Sequence, residues 1–153
     1  MKYFNRVVFV AQSGTTREPM AKGILEDCSL NRPVEILARG LVVNFPEPIN
    51  PKADAVLISN GINLSDFTSS PLTEEDLTED TLVLTMENAQ REKILSIFPE
   101  ADPEMVWVLS DLVGDELEIF DPYGGALPYY GLCYEALRKS IKKLVNIINE
   151  GEQ

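Results

Sequence analysis

The sequence predicts an α/β domain built on a small parallel sheet, and three observations predict it. Strand-like runs alternate with segments of helical periodicity along the chain. Leu82 to Met86 is a continuous apolar run, typical of a parallel strand covered on both faces. Arg6 to Gly23, RVVFVAQSGTTREPMAKG, reads as a buried strand, a short loop of small hydroxyl residues and then a helix. In such a sheet ligands bind beyond the C-terminal ends of the strands. A length of 153 residues with 44% apolar content suits one domain, 1–153, around a single core.

Taken in order, Val7, Val8, Phe9 and Val10 form the first strand. Pro19 suits a first helical position, where its missing N–H has no partner to lose. Met20, Ile24, Leu25 and Cys28 then repeat at helical spacing, so a helix is expected from about Pro19 to Ser29. Asn31-Arg32-Pro33 is a turn and Val34 to Ala38 a short second strand. Gly40 to Pro51, rich in Pro and Asn, is a loop on the same rim as the first loop. Ala53 to Asn60 is a helix with Ala53, Val56 and Leu57 inward and Gly61 as its stop. After a loop over Ile62 to Pro71, Thr73-Glu74-Glu75-Asp76 can cap a short helical turn. Glu87 to Phe98, with Ala89, Ile94, Leu95 and Phe98 apolar, is a helix following the Leu82–Met86 strand. Val106 to Leu109 is a fourth strand, and Cys133, Leu137, Ile141, Leu144 and Ile148 mark a last helix. Repeats, low-complexity tracts and linkers are absent.

A strand, a Gly/Ser/Thr loop and a helix N-terminus in that order make an anion cradle, because loop N–H groups and the positive end of the helix dipole converge. Arg17 adds a planar fork of donors that matches phosphate. The net charge of −12 argues against sequence-independent nucleic-acid binding and against anionic membrane surfaces. No signal-peptide pattern or bilayer-length apolar run is present. Cys28 and Cys133 read as buried thiols on helix faces, in keeping with a reducing cytoplasm. The absence of histidine removes His-based general bases and the commonest metal ligand; no metal or cofactor is expected.

The same stretch resembles the signature of the low-molecular-weight protein tyrosine phosphatases, V-C-x-G-N-x-C-R-S-P-x-A, with Arg17, Pro19 and Ala21 in place. Ala11 stands where the family has its nucleophilic cysteine. Asp121-Pro122-Tyr123-Gly124-Gly125 is similar to the family's D-P-[YF]-x-G loop, in its bacterial form. Gly61-Ile62-Asn63-Leu64-Ser65 resembles G-I-D-L-S, and Leu84-Thr85-Met86 a strand ending in L-x-M. The resemblance implies strand order 2-1-3-4 with helices on both faces. It implies a phosphate-binding loop of Gln12, Ser13, Gly14, Thr15, Thr16, Arg17 and Glu18, with Asp121 as general acid. It also implies a pocket rim of Asn44, Phe45, Pro122 and Tyr123, with Tyr129 and Tyr130 nearby. The implied ligand is phosphate, another oxyanion or phosphotyrosine, weakly held.

In this reaction type a low-pKa thiolate attacks phosphorus, loop N–H groups and the arginine hold the equatorial oxygens, and the aspartate protonates the leaving group. Here the loop, Arg17 and Asp121 remain and the nucleophile is gone. Ser13, Thr15 and Thr16 lack a base to activate them. The positions matching the loop's supporting hydrogen-bond set hold Gly14, Glu18, Ala38 and Phe67, and Thr16 stands where many members carry a second cysteine. An engineered Cys→Ala change would leave those partners intact, so natural loss explains more. Glycine at 14 suits a left-handed residue. Glu18 has two readings: a helix-start carboxylate facing solvent, or one that pairs with Arg17 or folds into the cradle and competes with phosphate. Two like charges about 4 Å apart cost roughly 4 kcal/mol at an effective dielectric of 20, about a thousandfold in affinity. The expected function is therefore a catalytically inactive pseudophosphatase acting as a binding or regulatory module. The alternatives are an active phosphotyrosine phosphatase seen as a Cys-to-Ala mutant, and an interaction protein with a protein partner. Arsenate reductases of the family need several redox cysteines, which Cys28 and Cys133 do not supply.

Overall fold

The computed structural model describes residues 1–150. Four parallel strands, β1 (Arg6–Ala11), β2 (Glu35–Gly40), β3 (Thr81–Thr85) and β4 (Val106–Val108), form one sheet in the order β2-β1-β3-β4. Five helices accompany it: α1 (Arg17–Glu26), α2 (Pro51–Ser59), α3 (Asn88–Ile97), α4 (Leu109–Val113) and α5 (Leu127–Glu150). The sheet order that the resemblance implied is the order observed.

Both faces of the sheet are covered at its two central strands, which is why β1 and β3 are buried almost continuously, whereas the edge strand β2 alternates. Val7, Phe9 and Ala11 of β1 face Met20, Ile24 and Leu25 of α1 and the stripe Leu137, Ile141, Leu144 and Ile148 of α5. Val8 and Val10 point the other way, to Val83, Ile94 and Val106. β1 thus lies between β2 and β3 inside the sheet, and the loop that leaves it starts from a strand whose residues 7–11 are all buried. No helix among the described residues is long and apolar enough to cross a membrane.

Several boundaries differ from expectation. α1 begins at Arg17, so Pro19 is its third residue rather than its first; N–H groups of the first turn have no intrahelical partner, so the proline loses nothing there either. α1 also stops at Glu26, which leaves Cys28 half-buried beyond its end while Cys133 is fully buried on α5. β2 runs on to Gly40. α2 starts at Pro51, capped by the Asn50 side chain, which accepts from the N–H groups of Lys52 and Ala53. β4 ends at Val108, where α4 begins without a break. On α3 the buried side chains are Gln90 and Ile94; Ala89 is exposed. The expected turn at Thr73 forms as a 3-10 turn over Glu74–Asp76 with its capping box in place.

Candidate functional site

β1 ends at Ala11, which is 1% exposed, and residues 12–16 carry the chain from the sheet edge into α1. Neighbouring segments fasten this loop on two sides. The N–H groups of Leu41 and Val42 donate to the carbonyls of Ala11 and Gln12, both at 2.9 Å, and the Asn50 N–H donates to Thr15 O at 2.9 Å. Gly14 is left-handed, with φ of +80°. β2 approaches closely enough that a Cβ on Gly40 would lie 2.6 Å from Gly14 N and 2.8 Å from the Ser13 carbonyl carbon. Only glycine at 40 lets the loop backbone rest there.

Arg17 is 2% exposed, and its guanidinium is already engaged. Nη1 donates to Ile119 O at 2.8 Å and to the Glu87 carboxylate at the start of α3, while Nη2 lies 3.7 Å from Asp121 Oδ2. Asp121 also accepts from the Tyr123 N–H at 3.0 Å, which holds the turn in which Pro122 is buried and Tyr123 is 71% exposed. Glu87 and the Ile119 carbonyl went unnoticed in the sequence. The only signal for Glu87 was its place directly after the Leu84-Thr85-Met86 run.

Glu18 does not face solvent. It is 1% exposed, and its Oε2 accepts from the Gly14 N–H at 2.6 Å, so the carboxylate lies within the loop. Its ion-pairing neighbour is not Arg17, which is directed to Glu87 and Asp121. Burial pushes the Glu18 carboxyl up to about 7, against the pull of the Glu18, Gly14 and Thr16 N–H groups and the Arg17 charge.

The remaining hydroxyls are poor nucleophile candidates. Ser13 and Thr15 hydrogen-bond each other at 3.1 Å, and Thr16 is buried. Cys133 is close enough to feel the charges of Arg17, Asp121 and Glu18, but burial pushes its thiol up to about 12. Its Sγ contacts Phe120 O at 3.7 Å, and it stays protonated at any ordinary pH.

A cleft of about 470 Å³ opens over the loop, lined by Gln12, Ser13, Thr15, Asp121 and Tyr123 and, from the second loop, by residues 47–51. Asn44 and Phe45, expected on the rim, are exposed but do not line it; Glu47, Pro48, Ile49 and Asn50 stand there instead. Tyr130 packs in the core with its hydroxyl 3.4 Å from Asn50 Nδ2, whereas Tyr129 is exposed.

A 2-1-3-4 parallel sheet with a short loop, Arg17 and a helix N-terminus following its first strand is the architecture of a phosphatase-like α/β protein. The chain belongs to the low molecular weight phosphotyrosine protein phosphatases, a family that matches it over residues 6–153. It is similar to a protein-arginine-phosphatase of Geobacillus stearothermophilus, 30% identical over 139 residues that cover 91% of this chain and 93% of the relative. A solved structure of YwlE arginine phosphatase from that organism superposes with a TM-score of 0.90, covering 97% of this chain and 95% of the other. The protein-tyrosine-phosphatase PtpB of Staphylococcus haemolyticus is 29% identical over 140 residues, 91% of this chain and 96% of the relative. A solved YwlE variant with serine for cysteine, and that active-site serine phosphorylated, is 28% identical with a TM-score of 0.85, covering 92% and 93%.

Proposed function

We propose that this chain is a pseudophosphatase: a single phosphatase-like domain that keeps the oxyanion loop as a binding or regulatory module and has lost the hydrolytic step. One observation carries the reading. Residue 11, at the buried end of β1, is an alanine, and a methyl group cannot attack phosphorus. The neighbouring groups are poorly placed to take over: burial holds the nearby thiol of Cys133 neutral, and the Ser13 and Thr15 hydroxyls bond each other, while the Glu18 carboxylate is turned to the Gly14 N–H. Arg17 and Asp121 stand where the family has its oxyanion-holding arginine and its general acid, 3.7 Å apart as an ion pair. Relatives are named as arginine and tyrosine phosphatases, and a YwlE variant carries a phosphoryl group on the residue that replaces its cysteine. Those names support phosphoryl groups on protein side chains as the ligand class. The buried Glu18 supports natural loss over an engineered substitution, since a carboxylate that bonds Gly14 belongs with a loop that no longer houses a thiolate. A reducing, cytoplasmic setting suits the two free thiols.

The test is hydrolysis of an aryl phosphate by the unaltered chain and by Ala11→Cys. We expect no turnover above background from the first and little from the second, because Gly14, Glu18, Ala38 and Phe67 do not rebuild the support a thiolate needs. Turnover by the unaltered chain would overturn the reading. Ordinary family rates from Ala11→Cys would point instead to an intact phosphatase lacking one atom group.

A further inference from the structure

We propose that Glu18 is the resident anion of this loop, and that an external oxyanion enters only together with a proton taken up by Glu18. This rests on the reading of the loop as an oxyanion-binding module and adds how that binding is controlled.

The geometry carries it. The Glu18 side chain is 1% exposed and its Oε2 sits 2.6 Å from the Gly14 N–H, one of the donors an incoming anion would use. The N–H groups of Thr16 and of Glu18 itself also act on this carboxylate. The Gly14 donor, free to turn to a ligand oxygen in an open loop, is thus already occupied from within the chain. Arg17, the cation that would offset a second negative charge, is committed to Glu87 and Ile119 O and lies near Asp121. The charged and titratable groups around the site are therefore Arg17 on α1, Glu87 at the start of α3, Asp121 before α5 and the neutral Cys133 on α5. A dianion arriving beside a charged Glu18 meets one engaged cation and three carboxylates.

Magnitudes decide which route binding takes. Direct entry against the Glu18 charge carries the roughly thousandfold penalty of two like charges in contact. Protonating Glu18 first is far cheaper, because burial already holds its carboxyl near 7. At about pH 8 only about a tenth of the molecules carry that proton, so the apparent affinity falls only about tenfold below its acid limit. Proton-coupled entry therefore dominates.

Sulfate is the probe, since it keeps both charges through this range. Calorimetric titration of the unaltered chain should give a dissociation constant that is nearly flat below about pH 7 and weakens about tenfold per pH unit above it. At about pH 8, heats measured in two buffers of unequal protonation enthalpy should report uptake of about one proton per sulfate. Glu18→Gln, which keeps an oxygen for the Gly14 N–H, should bind sulfate about tenfold more tightly at that pH with no proton uptake; Glu18→Ser is the second variant. The buffer pair needs no variant and decides the matter even if neither folds. Sulfate bound without proton uptake, variants that bind no tighter, or no sulfate bound at any pH would overturn the proposal. Failure to bind sulfate at any pH would overturn the oxyanion-module reading as well, the other two results only this proposal; the missing nucleophile is tested separately by hydrolysis.

Discussion

At Glu18, burial and hydrogen bonding act in opposite directions. The Gly14, Thr16 and Glu18 N–H groups favour the carboxylate, desolvation favours the acid, and desolvation wins, moving the group from the ordinary 4.5 to about 7. For an acid raised on folding, the native state binds more protons than the unfolded chain between those two values. Its contribution is therefore full below about pH 4.5 and is lost as pH rises through about 7. At about 1.4 kcal/mol per pH unit this amounts to about 3 kcal/mol. Urea unfolding should show the stability of Glu18→Gln relative to the unaltered chain growing by about that much from pH 4 to pH 8; parallel profiles would refute it. Ala11 and Arg17 were legible in the sequence because a motif fixes their spacing. The environment of Glu18 was not. A glutamate in a first helical turn ordinarily faces water, and what frees it from Arg17 is Glu87, 70 residues further along the chain.

Loop and strand ends were harder to read than the elements themselves. Periodicity located every strand and every helix except α4, which follows β4 directly and is five residues long. α2 starts earlier than its apolar periodicity indicates, because Asn50 and Pro51 resemble loop residues although the asparagine side chain caps the helix and its own N–H holds Thr15. The cleft is consequently walled by residues 47–51 and not by Asn44 and Phe45. At this scale the most exacting contact is between β2 and the loop. A Gly40→Ala methyl would meet backbone at 2.6 and 2.8 Å, which no side-chain rotation relieves. We expect a loss of about 1–3 kcal/mol in thermal or urea unfolding, with weaker sulfate binding as the loop shifts. An unchanged transition and unchanged binding would show that the two backbones have more room than the structure gives them.

Across the whole molecule, the sheet order came from the family resemblance, because alternation of strands and helices is compatible with several parallel orders. The amphipathic stripe of α5 was plain in the sequence, and the structure lays it on α1 and α2. Leu137 lies at its centre and is fully buried, so Leu137→Ala should cost about 2–5 kcal/mol in urea unfolding. A loss below about 1 kcal/mol would mean that α5 does not close this core. The net charge of −12 acts against compaction throughout, and added salt should raise the unfolding temperature of the unaltered chain. The proposed loss of hydrolysis requires that no group at the site take a phosphoryl from a substrate. Intact-protein mass measured after incubation with stoichiometric phosphotyrosyl and phosphoarginyl peptides tests this over a single turnover. The mass of the unaltered chain should not change and no inorganic phosphate should be released; a gain of one phosphoryl group, or phosphate release, would contradict it.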